Sequence, residues 1–372
     1  MRRHLSVFIA LATIVSSSVA CSSAPTQAIM SSTSSSSAAP TSEFTRIHHA
    51  TINNGWAMSF LPGTDFLAIT QRTGGLQLLN RTTGELRAIS GTPEVYSQGQ
   101  AGMHDIIPGP TFESDGTVYL SWVRAHAQGA QGVVGRAQLD TATGALNNLE
   151  IIWGQDPAAG SGHFSLRLLI AQNYLFVTSG DRQLGAPAQD INSNLGGVLR
   201  LSLDGQAAPG NPWNNERWTM GNRNILGIAA AENGDIWISE MGPQGGDELN
   251  KIVGGDNYGW PKTSMGSNYD GSDIPDHRSD DGFHAPATYW VPSISPGNLL
   301  IYTGALFDAF SHSALIGGLS GQRLVQVTLE EPATELNQWP MNARIRALAQ
   351  APDGALWVLE DGESGNLWEL RP

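Results

Sequence analysis

The sequence predicts an all-β protein, a six-bladed β-propeller of four-stranded antiparallel blades. Three observations carry that reading. A phrase made of an apolar strand, a Gly-containing or Asn-containing turn and a second apolar strand recurs six times between residues 58 and 358. The copies are spaced by about fifty to sixty residues, the length of a four-stranded blade with its loops. No long stretch with helical periodicity interrupts them.

The hairpins fall at 58–69, 112–122, 168–177, 228–238 and 348–358, with a looser copy at 300–316. Their tips carry turn chemistry: Pro62-Gly63, Asp115-Gly116, Gln172-Asn173, Asn233-Gly234 and Asp353-Gly354. Further short strands are expected at 75–79, 198–202 and 324–328. A β-sandwich needs no repetition of this long period, and a parallel β-helix has much shorter coils. The chain has 372 residues, 40% of them hydrophobic, enough for a sizeable core. Its 43 glycines fit a fold with many tight turns. In a propeller the inner strands and their loops converge on a central channel, where a ligand site is expected.

The N-terminus reads as an export signal. Met1 to His4 is basic, residues 5–15 are apolar, and small residues lead to Cys21. Cys21 after Val19-Ala20 resembles a bacterial lipoprotein signal, although Ser18 stands where such signals usually carry Leu. Residues 1–21 are therefore expected to be a lipoprotein-type signal, and an ordinary cleaved signal with an incidental Cys is the alternative. Residues 22–43 are rich in Ser, Thr, Ala and Pro and read as a disordered tether. The propeller is expected over 44–372. The expected location is outside the cytoplasm, either periplasmic or anchored at the outer membrane by lipid. Cys21 is the sole cysteine, so an intrachain disulfide is excluded. The net charge of -14 repels nucleic acid and anionic lipid, so no nucleic-acid partner is expected.

Polar residues cluster in the loops beside the apolar strands. His163 precedes the strand that returns to Gly180-Asp181, so the two side chains can meet across one hairpin. A carboxylate beside an imidazole fixes its tautomer and stabilises its protonated form, which suits a general base. Such a pair also occurs for structural reasons. Arg223 and Asn224 follow in Gly221 to Asn224. The loop from Glu240 to Asn250 offers the Gly242 and Pro243 carbonyls together with Asp247 and Glu248. Oxygen donors of this kind suit calcium, and an ordinary Gly-rich loop with a solvated acidic pair reads the same way. Arg344 and Arg346 alternate, so both guanidinium groups are expected on one face of a strand. There they can grip a ligand with several carboxylates, or simply face solvent.

Taken in order, these phrases resemble the soluble pyrroloquinoline quinone (PQQ)-dependent aldose sugar dehydrogenases, the glucose/sorbosone dehydrogenase family. Gly99 to Asp105 resembles the family's Gly-Gln-Gly-Gly-Leu-Leu-Asp phrase. His163 to Leu168, Gly180 to Arg182 and Ala188 to Arg200 resemble the phrases that follow it, as do Gly242 to Glu248, Asn257 to Pro261 and Tyr302 to Gly304. The resemblance runs from about Gly55 to the C-terminus. It implies oxidation of an aldose at the anomeric carbon to the lactone, by His-assisted hydride transfer to PQQ. His163 would take the hydroxyl proton, with Asp181 supporting it. Arg223 and Asn224 would contact the quinone oxygens. Gln100, Arg344 and Arg346 would hold the cofactor's polar and carboxylate groups. Carbonyls of Gly242 and Pro243 would hold a Ca2+ bridging to PQQ, while Asp247, Glu248 and Tyr258 lie where a second, structural calcium is placed. An electron acceptor, not identified by the sequence, would complete the cycle.

The chain departs from the family pattern at Asn222, Ile225, Leu226, Met241 and Gln244. Ser320 stands where some members carry a cofactor-contacting lysine, and losing that cation should weaken binding of an anionic cofactor. Two other readings therefore remain: a sugar- or ligand-binding propeller that has lost PQQ, and a calcium-dependent hydrolase such as a lactonase.

Overall fold

A computed structural model describes residues 44–372. The expected signal, its Cys21 and the tether lie outside the described residues. The rest is a six-bladed propeller, as the repeat predicts. Blade 1 is built from Gly55–Phe60, Phe66–Gln71, Leu76–Asn80 and Leu86–Ala88. Blade 2 is built from Met103–Pro108, Thr117–His126, Gly129–Asp140 and Ala145–Gly154. Blade 3 has Ser165–Ala171, Tyr174–Ser179 and Gly197–Leu201. Its outer edge is reduced to isolated bridges, Leu199 to Arg217 and Leu201 to Ala207. Blade 4 has Ile225–Ala230, Ile236–Glu240, Asp247–Ile252 and Thr288–Trp290. Blade 5 has Leu300–Ile301, Ser313–Gly317, Arg323–Thr328 and Glu335–Pro340.

Blade 6 closes the ring. Its inner strands, Ile345–Gln350, Leu356–Glu360 and Gly365–Arg371, come from the C-terminus, and its outermost strand, Thr45–Ile52, from the start of the domain. The pairing runs antiparallel from Thr45 opposite Arg371 to Ile52 opposite Gly365. The ends of the domain thus cover each other's sheet edges.

Each interface between neighbouring blades holds one apolar cluster, and the six clusters form a continuous ring. Leu78, Ile106 and Leu120 join blades 1 and 2, and Val134, Leu175 and Leu199 join blades 2 and 3. Leu67, Trp357 and Leu367 seal blade 6 to blade 1. One expected hairpin differs in detail. Residues Phe112–Asp115 form a single helical turn, ended by Gly116 at φ 69°, and the inner strand of blade 2 is Met103–Pro108. Phe112 still buries its ring between blades, so its apolar character served packing rather than strand pairing.

Five of the six inner strands begin with an irregularity in register: between Gly55 and Ala57, Met103 and Ile106, Ser165 and Leu168, Ile225 and Gly227, and Ile345 and Ala347. A bulge leaves a residue out of the ladder and re-aims its side chain. Here the released residues are Trp56, His104-Asp105, Leu166-Arg167, Leu226 and Arg346. They supply much of the site.

Candidate active site at the channel

A cavity of ≈ 270 Å3 is lined by four of the released residues, Trp56, His104, Leu226 and Arg346, together with Gln100, Phe164, Ser165, Asn224, Met241, Ser295, Leu319 and Arg344. Four residues expected to bind cofactor, Gln100, Asn224, Arg344 and Arg346, therefore line one cavity. His163 and Arg223 flank it rather than line it. His163 connects to it through its backbone N–H, which donates to Gln100 Oε1 at 2.8 Å. Arg223 lines a small adjoining crevice with Glu240, Met241, Gly242, Glu248, Tyr258 and Trp260.

The His163–Asp181 pair forms across the hairpin as expected. His163 Nδ1 lies 2.7 Å from Asp181 Oδ1. The backbone at the start of the strand is constrained: His163, Ser165 and Leu166 all have positive φ, at 49°, 61° and 62°. For residues other than glycine such conformations persist only where surrounding structure enforces them. Gly180 allows the close return, since a Cβ there would lie 2.0 Å from the His163 carbonyl oxygen. Asp181 is 1% exposed and also accepts from Trp260 Nε1 at 2.7 Å and from the backbone N–H of Gln183 at 2.8 Å and Gly185 at 3.2 Å. Burial raises its pKa, but the bonds from His163, Trp260 and the backbone outweigh that and hold it below the usual carboxylate range. Arg182, the next residue, has a structural task. It donates to the carbonyls of Ala130, Ala158 and Gly162 and lies over the Phe164 ring, 3.7 Å from its centroid.

Arg223 is 6% exposed and sits between two aromatic rings, 5.2 Å from the Trp260 centroid and 5.8 Å from that of Tyr269. It donates to the carbonyls of Gly242 at 2.7 Å and Met241 at 3.1 Å, and its Nε has no partner. Asn224 Oδ1 accepts from Ser165 Oγ at 3.2 Å.

On the opposite side, Arg344 precedes the strand and Arg346 sits in its bulge, yet both turn to one carboxylate. Arg344 Nε donates to Asp361 Oδ2 at 2.8 Å and Arg346 Nε to Asp361 Oδ1 at 2.9 Å. Arg346 is buried and lies 4.1 Å from the Trp56 ring centroid, and burial lowers its pKa to about 10. The Arg344 side chain is 46% exposed.

The residues expected to hold calcium adopt definite arrangements of their own. The Gly242 carbonyl accepts from Arg223, and Pro243 is buried beside it. Asp247 accepts the backbone N–H of Gly242 at 3.0 Å and of Ser295 at 2.7 Å, clamping two loops. The Tyr258 hydroxyl accepts from the Val253 N–H and donates to the Lys251 carbonyl, and burial raises its pKa. Glu248 sits directly opposite Glu240 on the neighbouring strand, both buried. Burial raises both carboxyls, and Glu248 is raised further by Glu240. Asn250 Oδ1 beside them has no partner. Two buried like charges facing each other are unfavourable, and N–H groups of Asn222, Arg223 and Asn250 donate to the two carboxyls at 2.7, 2.7 and 3.0 Å. Among the described residues no group of three or more His, Cys, Asp or Glu side chains is placed to hold a metal.

Sequence reasoning missed four residues: Trp56, His104, Tyr269 and Asp361. His104 lay inside the quoted Gly99 to Asp105 phrase, at a position where the family phrase has Leu. Trp56, Tyr269 and Asp361 carry no local signal: a bulge brings in Trp56, the loop after Gly266–Ser267 brings in Tyr269, and the blade 6 hairpin brings in Asp361. His104 is 1% exposed, and neither ring nitrogen has a hydrogen-bond partner. A buried polar group left unsatisfied costs about 1–3 kcal/mol.

The fold and site define a propeller with a carboxylate-backed histidine beside an arginine-walled cavity. The family described as Glucose / Sorbosone dehydrogenase matches residues 52–369, and the chain belongs to that family. The aldose sugar dehydrogenase YliI of Escherichia coli is 30% identical over 350 residues, 90% of this chain and 94% of that one. The quinoprotein glucose dehydrogenase B of Acinetobacter calcoaceticus is 28% identical over 245 residues, 57% of this chain and 51% of that one. Among solved structures, the apo-form of the soluble E. coli aldose sugar dehydrogenase superposes with a TM-score of 0.84 at 29% identity, covering 89% of this chain and all of that one. The PQQ-bound aldose sugar dehydrogenase of Streptomyces coelicolor gives 0.75 at 26% identity, covering 90% and 99%.

Proposed function

We propose that this protein oxidises aldose sugars at the anomeric carbon to the lactone, with PQQ as its cofactor. The observation that carries the reading is the 2.7 Å contact between His163 and Asp181 beside a cavity walled by Arg344 and Arg346. PQQ, when bound, supplies acceptance of the two electrons as hydride. Asp181 engages Nδ1 of His163 and so leaves Nε2 as the basic atom, suited to take the proton of the anomeric hydroxyl. Asp181, kept ionised, stabilises the imidazolium that results. Arg223, held between Trp260 and Tyr269 with Nε unpartnered, suits negative charge on oxygen, and Asn224 supports the same position. Gln100, Arg344 and Arg346 would hold the cofactor's polar edge and carboxylates.

Calcium belongs to the same reading. The Gly242–Pro243 turn would supply carbonyl oxygens near the cofactor, and the buried Glu240–Glu248 pair with Asn250 supports a structural ion beside Tyr258 and Asp247. The leader and Cys21 support export, with lipid anchoring at Cys21 as the finer proposal. An electron acceptor remains a required partner.

A second reading, a binding propeller without PQQ, is favoured by one observation. Ser320, in place of the cationic residue, pairs its hydroxyl with Ser295 at 2.7 Å. Addition of PQQ and calcium to the purified protein separates the two readings. A bound-quinone spectrum and dye-linked oxidation of aldoses are expected. A protein that takes up no PQQ supports the second reading.

A further inference from the structure

We propose that His104 is a further cofactor-contacting residue, a neutral imidazole that forms a direct hydrogen bond with the quinone ligand in the channel cavity. This rests on the PQQ reading above. Three observations lead to it.

The first is position. His104 occupies the bulge of blade 2, as Trp56 does in blade 1, Leu226 in blade 4 and Arg346 in blade 6. All four line the same cavity. The bulges turn these side chains to a common centre, and His104 is the uncharged member of the set that can both donate and accept, whereas the unpartnered Trp56 Nε1 can only donate.

The second is the missing partner. The ring lies between two aromatics, 4.9 Å from the Trp56 centroid and 6.2 Å from that of Phe164, which supply packing and no strong acceptor. The Ser165 carbonyl lies nearby, but neither ring nitrogen meets a partner at hydrogen-bonding distance and angle. If packing were the whole task, an apolar side chain would fill the space without leaving two polar atoms unsatisfied.

The third is charge. Burial, Arg167 and Arg346 together lower the imidazole pKa to about 3, so the ring is neutral across the working range. A neutral imidazole offers one donor and one acceptor. Arg344 and Arg346 attract anionic groups from a wide arc, whereas a single neutral donor fixes orientation. A planar ligand with carbonyl, carboxylate and ring nitrogen atoms can use either face of that bond.

The test is a PQQ titration of calcium-loaded protein, followed by quenching of tryptophan fluorescence, alongside thermal unfolding of the apoprotein. For His104→Leu the apoprotein should melt at the wild-type temperature or higher, while PQQ affinity falls about tenfold or more. His104→Gln, which restores a donor and an acceptor, should recover most of the affinity. In wild type, the His104 ring signals in a 15N-histidine NMR spectrum should shift on PQQ addition. A His104→Leu protein that binds PQQ as tightly as wild type overturns the inference and leaves the proposed function standing. A large loss of apoprotein stability with unchanged affinity also overturns it, by showing a structural role. If wild type itself binds no PQQ, both the inference and the cofactor reading fall.

Discussion

The two sides of the cavity use the same device for different ends. In blade 3 a carboxylate, Asp181, holds His163. In blade 6 a carboxylate, Asp361, holds Arg344 and Arg346. Asp181 is almost completely buried and accepts from one imidazole, one indole and two backbone N–H groups. Asp361 is partly open, and its side chain accepts from the two guanidinium groups alone. The first arrangement fixes one atom, as proton transfer requires. The second keeps two cations near each other with their charge only partly cancelled, as recognition of an anionic ligand requires. The base side is built for position and the arginine side for charge.

Variants on the two sides should therefore fail in different ways. The largest effect is expected at His163. His163→Gln should lower turnover by about 10²–10⁴-fold at saturating PQQ, with PQQ affinity within a few-fold of wild type. Wild-type turnover in that variant would remove the histidine from the chemistry. Asp181→Asn should cost about ten- to a hundredfold in kcat, since it removes a charged hydrogen-bond acceptor and leaves the imidazole in place. On the arginine side the parameter that moves is affinity. Arg346→Ala should weaken PQQ binding by about tenfold or more, because its guanidinium is buried. Arg344→Ala should weaken it by only a few-fold, because half-exposed charges are screened by water. Titration of both variants with PQQ checks the order. A larger kcat effect than binding effect on this side would erase the distinction.

A separate expectation concerns stability. The His104 pKa is lowered in the folded state, from 6.5 to about 3, so the unfolded chain takes the proton first as pH falls. Its contribution to stability is complete above about pH 6.5 and is lost progressively below it. Wild-type melting temperature should therefore fall more steeply between pH 6.5 and 4 than that of His104→Leu. Parallel slopes would show that the ring titrates normally.

Much of the framework could be read directly from the chain. The hairpins at 58–69, 168–177, 228–238 and 348–358 are local events, set by alternating apolar residues and by turns such as Gln172-Asn173, both at positive φ in the structure. Their repetition determined the number of blades. The meeting of His163 and Asp181 was legible for the same reason, because one hairpin spans it. The helical turn at Phe112–Asp115 was not legible, since an apolar residue before a turn serves a helix or a strand equally well.

What tertiary structure alone decided is how the distant parts converge. The bulges at Trp56, His104, Leu226 and Arg346 depend on the geometry of neighbouring blades, and a period-two pattern carries no mark of one unpaired residue. Asp361 reaches Arg344 and Arg346 across a hairpin, yet nothing in its surroundings in the chain distinguishes it from a solvent-facing turn residue. The opposition of Glu240 and Glu248 likewise follows from strand register, not from their separation in sequence. The sequence by itself determined the fold and the residues of one hairpin. The cavity exists because six such units close into a ring, and ring closure is a property of all the interfaces together.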